Sequence, residues 1–256
     1  MQQSQDHPRL QALRKQVRAI EATGRSAARA SLAFGIDALD QRIEGGGIML
    51  GALHEVTGAT REISDDAAAS LFAAGIAARA SGPAGTVLWA LRWRDLFAPG
   101  LAQAGLTPQR LIQAECRKDE DVLAVMEEGL RHGGLAAVIG EVGQVSMAAT
   151  RRLQLAAEDS GTLALMLRKW RKSDADPLGL PSAAVTRWKI GCVPSAPLPV
   201  QGIGRPCWNI ALVRQRGGEP HQWIMEGCDA EGCLALPAGP AHRSAAADRG
   251  NVRQAA

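Results

Sequence analysis

Between a short apolar run and an alanine-rich stretch stands Gly58-Ala-Thr-Arg-Glu-Ile-Ser-Asp-Asp66, at the kind of strand-to-helix junction that grips phosphate in many proteins. A phosphate-binding loop would read Gly-x-x-x-x-Gly-Lys-Ser/Thr there. Its backbone N–H groups wrap the phosphates, its lysine reaches the terminal ones, and its hydroxyl holds magnesium. This junction keeps Gly58 but has neither the second glycine nor the lysine. Arg61, Ser64 and Asp65 occupy the loop and first turn, and three carboxylates (Glu62, Asp65, Asp66) stand where polyphosphate would sit. Helix N-termini attract anions, and here the chain supplies its own. The same residues suffice for an ordinary helix start, with Ser64 as the cap and Asp65 and Asp66 complementing the dipole. Either way the expectation is a nucleotide-site scaffold that has lost its chemistry, with no catalytic residue, no cofactor and no metal.

The other reactive side chains point the same way. Five cysteines (Cys116, Cys192, Cys207, Cys228, Cys233) form no C-x-x-C pair and have no histidine at zinc spacing, which predicts reduced structural thiols. A net charge of +3 is too small to argue for nucleic acid, so local clustering matters more. No apolar run approaches the ~20 residues of a membrane span. The N-terminal stretch has no apolar signal core. The expected place is the cytoplasm.

The elements that would position the junction can be read from periodicity. Leu10, Leu13, Val17 and Ile20 make one stripe of an amphipathic helix over residues 9–21, followed by a connector over 22–29. Such a helix either packs on its own domain or docks on another protein. From residue 32 onward, apolar strands alternate with helices. Strands are expected at 53–56, 86–91, 110–113, 135–140 and 162–167, and helices at 64–79, 95–104, 119–132 and 146–160. That pattern implies a parallel sheet covered on both faces. Strands at 184–190, 208–214 and 221–226 follow without intervening helices, the last two joined by a turn at 216–219. They read as antiparallel additions, making a mixed α/β sheet. Three regions result: an N-terminal helix and linker over 1–30, a core over 31–236, and a tail over 237–256 whose Pro, Ala, Gly and Ser content without periodicity predicts disorder.

The segment from Leu32 to Gly58, with its Leu-Asp, Gly-Gly and Gly-x spacing, resembles the start of the RecA-type ATPase core. More closely, the chain resembles the ImuA family, the RecA-like proteins of bacterial damage-inducible mutagenesis. The residues that carry this likeness run in order through Trp89–Leu101, Met126–Gly134, Ala149–Ala157 and the run Leu167-Arg-Lys-Trp-Arg171. The likeness spans roughly residues 8 to 234. It implies a RecA-like core and a role in SOS-induced translesion DNA synthesis. The implied partners are an ImuB-like inactive polymerase and an error-prone replicative-type DNA polymerase, with RecA and weakly held single-stranded DNA as further candidates. A DNA-dependent ATPase with an unusual phosphate loop and a SulA-like cell-division regulator are the alternatives.

The RecA pattern also implies where residual site residues should fall. The catalytic glutamate position after the second core strand corresponds to Arg94, flanked by Arg92, Trp93 and Asp95. A guanidinium is always protonated and cannot orient water as a base. The strand-end carboxylate that holds magnesium through water falls at Glu141, as a substitute ligand or as a solvated strand end. The loop after that strand is short. After the fifth strand, Arg168, Lys169, Arg171 and Lys172 surround Trp170, a cluster able to track phosphates and stack on a base, or to form a solvated strand end with a packed aromatic. Arg92, Arg94 and this cluster are the expected DNA or partner contacts.

Overall fold

The computed structural model describes residues 30–170, 175–195 and 202–237. The expected N-terminal helix with Leu10, Leu13, Val17 and Ile20, the tail from residue 238, and Arg171 and Lys172 lie outside the described residues.

Among the described residues, ten strands and five α-helices follow one another. They are β1 (Ser31–Leu32), α1 (Asp37–Asp40), β2 (Ile48–Met49), β3 (Leu53–Gly58), α2 (Ile63–Ser81), β4 (Val87–Leu91), α3 (Ala98–Gln103), β5 (Leu111–Glu115), α4 (Asp119–His132), β6 (Ala137–Val142), α5 (Met147–Ser160), β7 (Leu163–Arg168), β8 (Thr186–Val193), β9 (Cys207–Gln215) and β10 (His221–Glu226). β1 and β2 form a small antiparallel ribbon, and the other eight make one sheet in the order β10-β9-β8-β3-β7-β6-β4-β5. The sheet is α/β and mostly parallel, with β9 and β10 antiparallel at one side.

Two expectations need correction. β8 is not an antiparallel addition: it runs parallel to β3 and only its other edge meets β9 in antiparallel register. The chain returns over β3 between β7 and β8 with no helix among the described residues, so the helix rhythm misreports the strand's direction. The helix expected at 95–104 shrinks to α3, because Pro99 belongs in a first helical turn and fixes the start close to itself.

Strand alternation sorts the core into two layers. On one face Val56, Trp89, Ile139, Leu165, Leu167 and Trp188 pack under α2, where Phe72 and the alanine face close over them. On the other, Leu53, Leu88, Val138 and Met166 pack under α4 and α5 through Val122, Met126, Leu130 and Leu153. The carboxyl ends of β3, β7 and β6 therefore lie side by side between α2 and the second helix pair. Ligands bind beyond strand carboxyl ends in open α/β sheets, so this is where the site must be sought.

Candidate functional site

β3 ends at Gly58, and only four residues separate it from α2. A side chain at Gly58 would lie 3.0 Å from the backbone of Asp65 and of Asp66, so the strand end sits directly against the first turn of the helix. Ser64 is not the cap. The N-cap is Glu62, which makes no side-chain capping bond, and Ser64 lies exposed inside the first turn beyond Arg61, also exposed. Asp65 does the work instead. Its buried carboxylate accepts N–H bonds from Thr60 (3.0 Å) and Cys192 (2.7 Å) and the Thr60 hydroxyl (2.7 Å), tying loop, helix and β8 together.

The missing lysine has a counterpart from another strand. Lys169, just past β7, places Nζ 2.8 Å from Asp66 Oδ2 and 3.6 Å from Glu141 Oε2 at the end of β6. It also donates to the Ser70 hydroxyl at 3.3 Å. Burial disfavours the ammonium, but Glu141, the charge and hydrogen bond of Asp66, and the charge of Asp95 outweigh it and hold its pKa above the ordinary lysine value. Glu141 is not a solvated strand-end carboxylate. It is 1% exposed and accepts the Trp89 indole N–H at 2.8 Å. Burial pushes its pKa up; Lys169 and the Trp89 bond pull against that, while Asp95 and Asp66 add to it. Trp170 closes the arrangement by donating its indole N–H to Gly58 O at 2.9 Å. The ammonium is thus engaged by two carboxylates of the chain itself.

The basic cluster is thus split. Residues alternate faces along a strand, so Arg168 points away from Lys169 to the α4/α5 face and is 1% exposed. There it pairs with Glu55 at 2.8 Å, which also pairs with Arg187 at 2.6 Å. Arg168 Nε donates to Gly143 O and Arg187 Nη2 to Leu180 O. Arg168 cannot reach a phosphate as expected, because its guanidinium is part of the core.

Arg94 lies exposed beyond the end of β4. Its guanidinium turns to Glu115 on β5 at 2.7 Å. Asp95 is the neighbouring residue whose charge acts on Lys169 and Glu141. Arg92 pairs with Asp119 at 3.0 Å and lies 4.6 Å over the Trp93 ring. Sequence reasoning missed what surrounds these arginines. β5 is an edge strand with no further strand beyond it among the described residues, and Trp93, Phe97 and Ile112 near it are each at least half exposed. The signal was present in two large aromatics four residues apart just after a strand.

No helix among the described residues is long and apolar enough to cross a membrane. All five cysteines are free thiols. No protein-family model matches the chain. Two curated relatives, both called Protein ImuA, from Caulobacter vibrioides strains NA1000 / CB15N and ATCC 19089 / CIP 103742 / CB 15, are each 38% identical to it over 205 residues, covering 78% of this chain and 84% of theirs.

Proposed function

The chain belongs to the ImuA family, and from that premise we propose that it is a non-catalytic RecA-like accessory protein of damage-induced mutagenic translesion synthesis. In this reading it bridges an ImuB-like inactive polymerase and an error-prone replicative-type DNA polymerase, and it neither binds nor hydrolyses ATP. The observation that carries the reading is the Lys169 ammonium held between Asp66 and Glu141, beside a loop that lacks the second glycine and the lysine of a phosphate-binding loop. An adaptor needs surfaces more than a pocket. The open edge of β5 with exposed Trp93, Phe97 and Ile112 supports that half, since large exposed apolar groups in one region mark contact sites. A direct DNA contact falls to Arg171 and Lys172 and is weak, with Arg168 and Lys169 committed to internal carboxylates.

Isothermal titration of the full chain with magnesium and ATP should give no binding heat. Micromolar binding would restore the ATPase reading. Purification of the tagged protein from DNA-damaged cells should bring down polymerase-like partners, and recovery of division proteins in their place would favour the SulA-like alternative.

A further inference from the structure

The RecA pattern implies a magnesium ion held through water near the carboxylate at the end of β6, and the residues of this chain do not fit one. The Trp89 indole holds Glu141 Oε1 at 2.8 Å. Glu141 Oε2 makes no hydrogen bond and stands 3.6 Å from Lys169 Nζ. The same nitrogen lies 2.8 Å from Asp66 Oδ2 and 3.3 Å from the Ser70 hydroxyl. Two carboxylates, one from β6 and one from α2, and a hydroxyl from α2 therefore converge on one cation. Oxygen donors of this kind suit hard divalent ions, yet the cation present is the chain's own side chain.

The distances decide which cation the place suits. Magnesium takes oxygens at about 2.0–2.1 Å and keeps several of its waters, and calcium takes its oxygens at about 2.3–2.6 Å. Oxygens 2.8, 3.3 and 3.6 Å from the centre are too far for either ion to bind directly. A hydrated ion has no room beside the lysine, because Glu141 is 1% exposed and the Lys169 side chain 12%. No group of three or more His, Cys, Asp or Glu able to hold a metal lies among the described residues. An ammonium needs no such shell: it carries three N–H donors and sits at hydrogen-bond spacing from its acceptors.

We propose that Lys169 is a built-in substitute for a divalent cation, its ammonium standing in the ion's place between Asp66 and Glu141, so that the strand ends of this chain close without any added metal. Shortening the side chain should give the place back. With stem and ammonium gone, Asp66, Glu141 and the Ser70 hydroxyl face a space that a partly hydrated ion can enter, and one or two carboxylates plus water suffice for such an ion. Lys169→Met removes the charge but keeps the space filled, so it should open nothing.

Thermal unfolding of the full chain with manganese tests this, without nucleotide, so the result is independent of the ATP titration. Two carboxylates should give a Kd of about 1 mM. Manganese at about tenfold that concentration should raise the Tm of Lys169→Ala by about 3–6 °C. The unmodified chain, Lys169→Met, and Lys169→Ala combined with Glu141→Gln should not shift. Lys169→Ser serves if Lys169→Ala does not fold. A folded Lys169→Ala or Lys169→Ser variant that ignores manganese overturns the proposal. So does a shift of the unmodified chain that Glu141→Gln removes, because lysine and metal would then share the place instead of excluding each other. A shift of Lys169→Ala that survives Glu141→Gln overturns it as well, by putting the ion elsewhere.

Discussion

His54 and Glu55 are neighbours on β3, both wholly buried, and they meet burial in opposite ways. Glu55 faces α4 and α5 as the centre of an ion network with Arg168 and Arg187. His54 faces α2 in a hydrogen-bonded chain: the Trp188 indole donates to the Thr186 hydroxyl at 2.6 Å, that hydroxyl lies 2.6 Å from His54 Nδ1, and Nε2 lies 2.8 Å from Met49 O. With Nε2 donating to the carbonyl and Nδ1 accepting from the hydroxyl, the ring is satisfied as a neutral imidazole. Arg168 and Lys169 repeat the division at the end of β7, one locked under the sheet and the other at its rim. One face of the central strands stores charge and the other excludes it, except at the carboxyl end where water is near. A buried charge network tolerates no missing member, whereas a neutral network fails only when it is forced to ionise.

The largest effect should come from breaking the charged face. Glu55→Gln leaves the Arg168 and Arg187 guanidinium groups buried without a counter-charge, and should lower stability by about 3–5 kcal/mol. Denaturant titration would show it as a shifted midpoint. Making all three members apolar at once, by combining Glu55→Leu, Arg168→Met and Arg187→Met, should cost clearly less than Glu55→Gln alone. If the triple variant is the worse one, the network contributes net stability and the contrast between the faces is wrong.

The neutral face should fail with pH. Burial lowers the His54 pKa to about 4 from 6.5; the Met49 carbonyl opposes this and the Arg216 charge adds to it. The folded value lies below the unfolded one, so the unfolded chain binds the proton first as pH falls. Stability is full above about pH 6.5 and is lost as pH drops through about 4, by roughly 3 kcal/mol for this group. The difference in stability between the unmodified chain and His54→Gln, measured from pH 7 to 4, should narrow over that window. A constant difference would mean that His54 does not titrate there.

How much of this was legible depended on the length scale of the signal. The strand–helix alternation and the missing lysine were legible because each lives in a local pattern. The N-cap was not, because Asp65 competes with Ser64 through partners at Thr60 and Cys192, the second of them on a strand far along the chain. The run Arg168-Lys-Trp170 reads as one basic patch along the chain, yet β-strand periodicity of two sends Arg168 and Lys169 to opposite faces. Knowing that β7 extends through Arg168 would have separated them. Glu55 and Glu141 looked like strand carboxylates of no special kind. Their partners come from β7, β8 and β4, and no sequence spacing reports that.

The smallest effect should come from the rim, where Lys169 is replaced. Lys169→Met keeps the stem that packs beside Ser70 and removes the charge between Asp66 and Glu141. Lys169 retains some access to water, and Asp66 can turn outward to it. The expected loss near neutral pH is therefore about 1–2 kcal/mol, below that of Glu55→Gln. The pH dependence separates this from lost packing. Burial already raises the Glu141 pKa against Lys169 and the Trp89 hydrogen bond, and without the ammonium it rises further. A carboxyl whose folded pKa exceeds its unfolded value binds protons more tightly when folded, so stability falls as pH rises from the ordinary carboxylate range through the folded value. The deficit of Lys169→Met should accordingly be largest at neutral pH and shrink on acidification, as Glu141 of the variant takes up its proton. Adding Glu141→Gln should recover most of it, because a neutral amide still accepts the Trp89 N–H without needing a counter-ion. A deficit independent of pH and unrelieved by Glu141→Gln would mean that Lys169 only packs, and that its charge is incidental to the closure of the neighbouring loop.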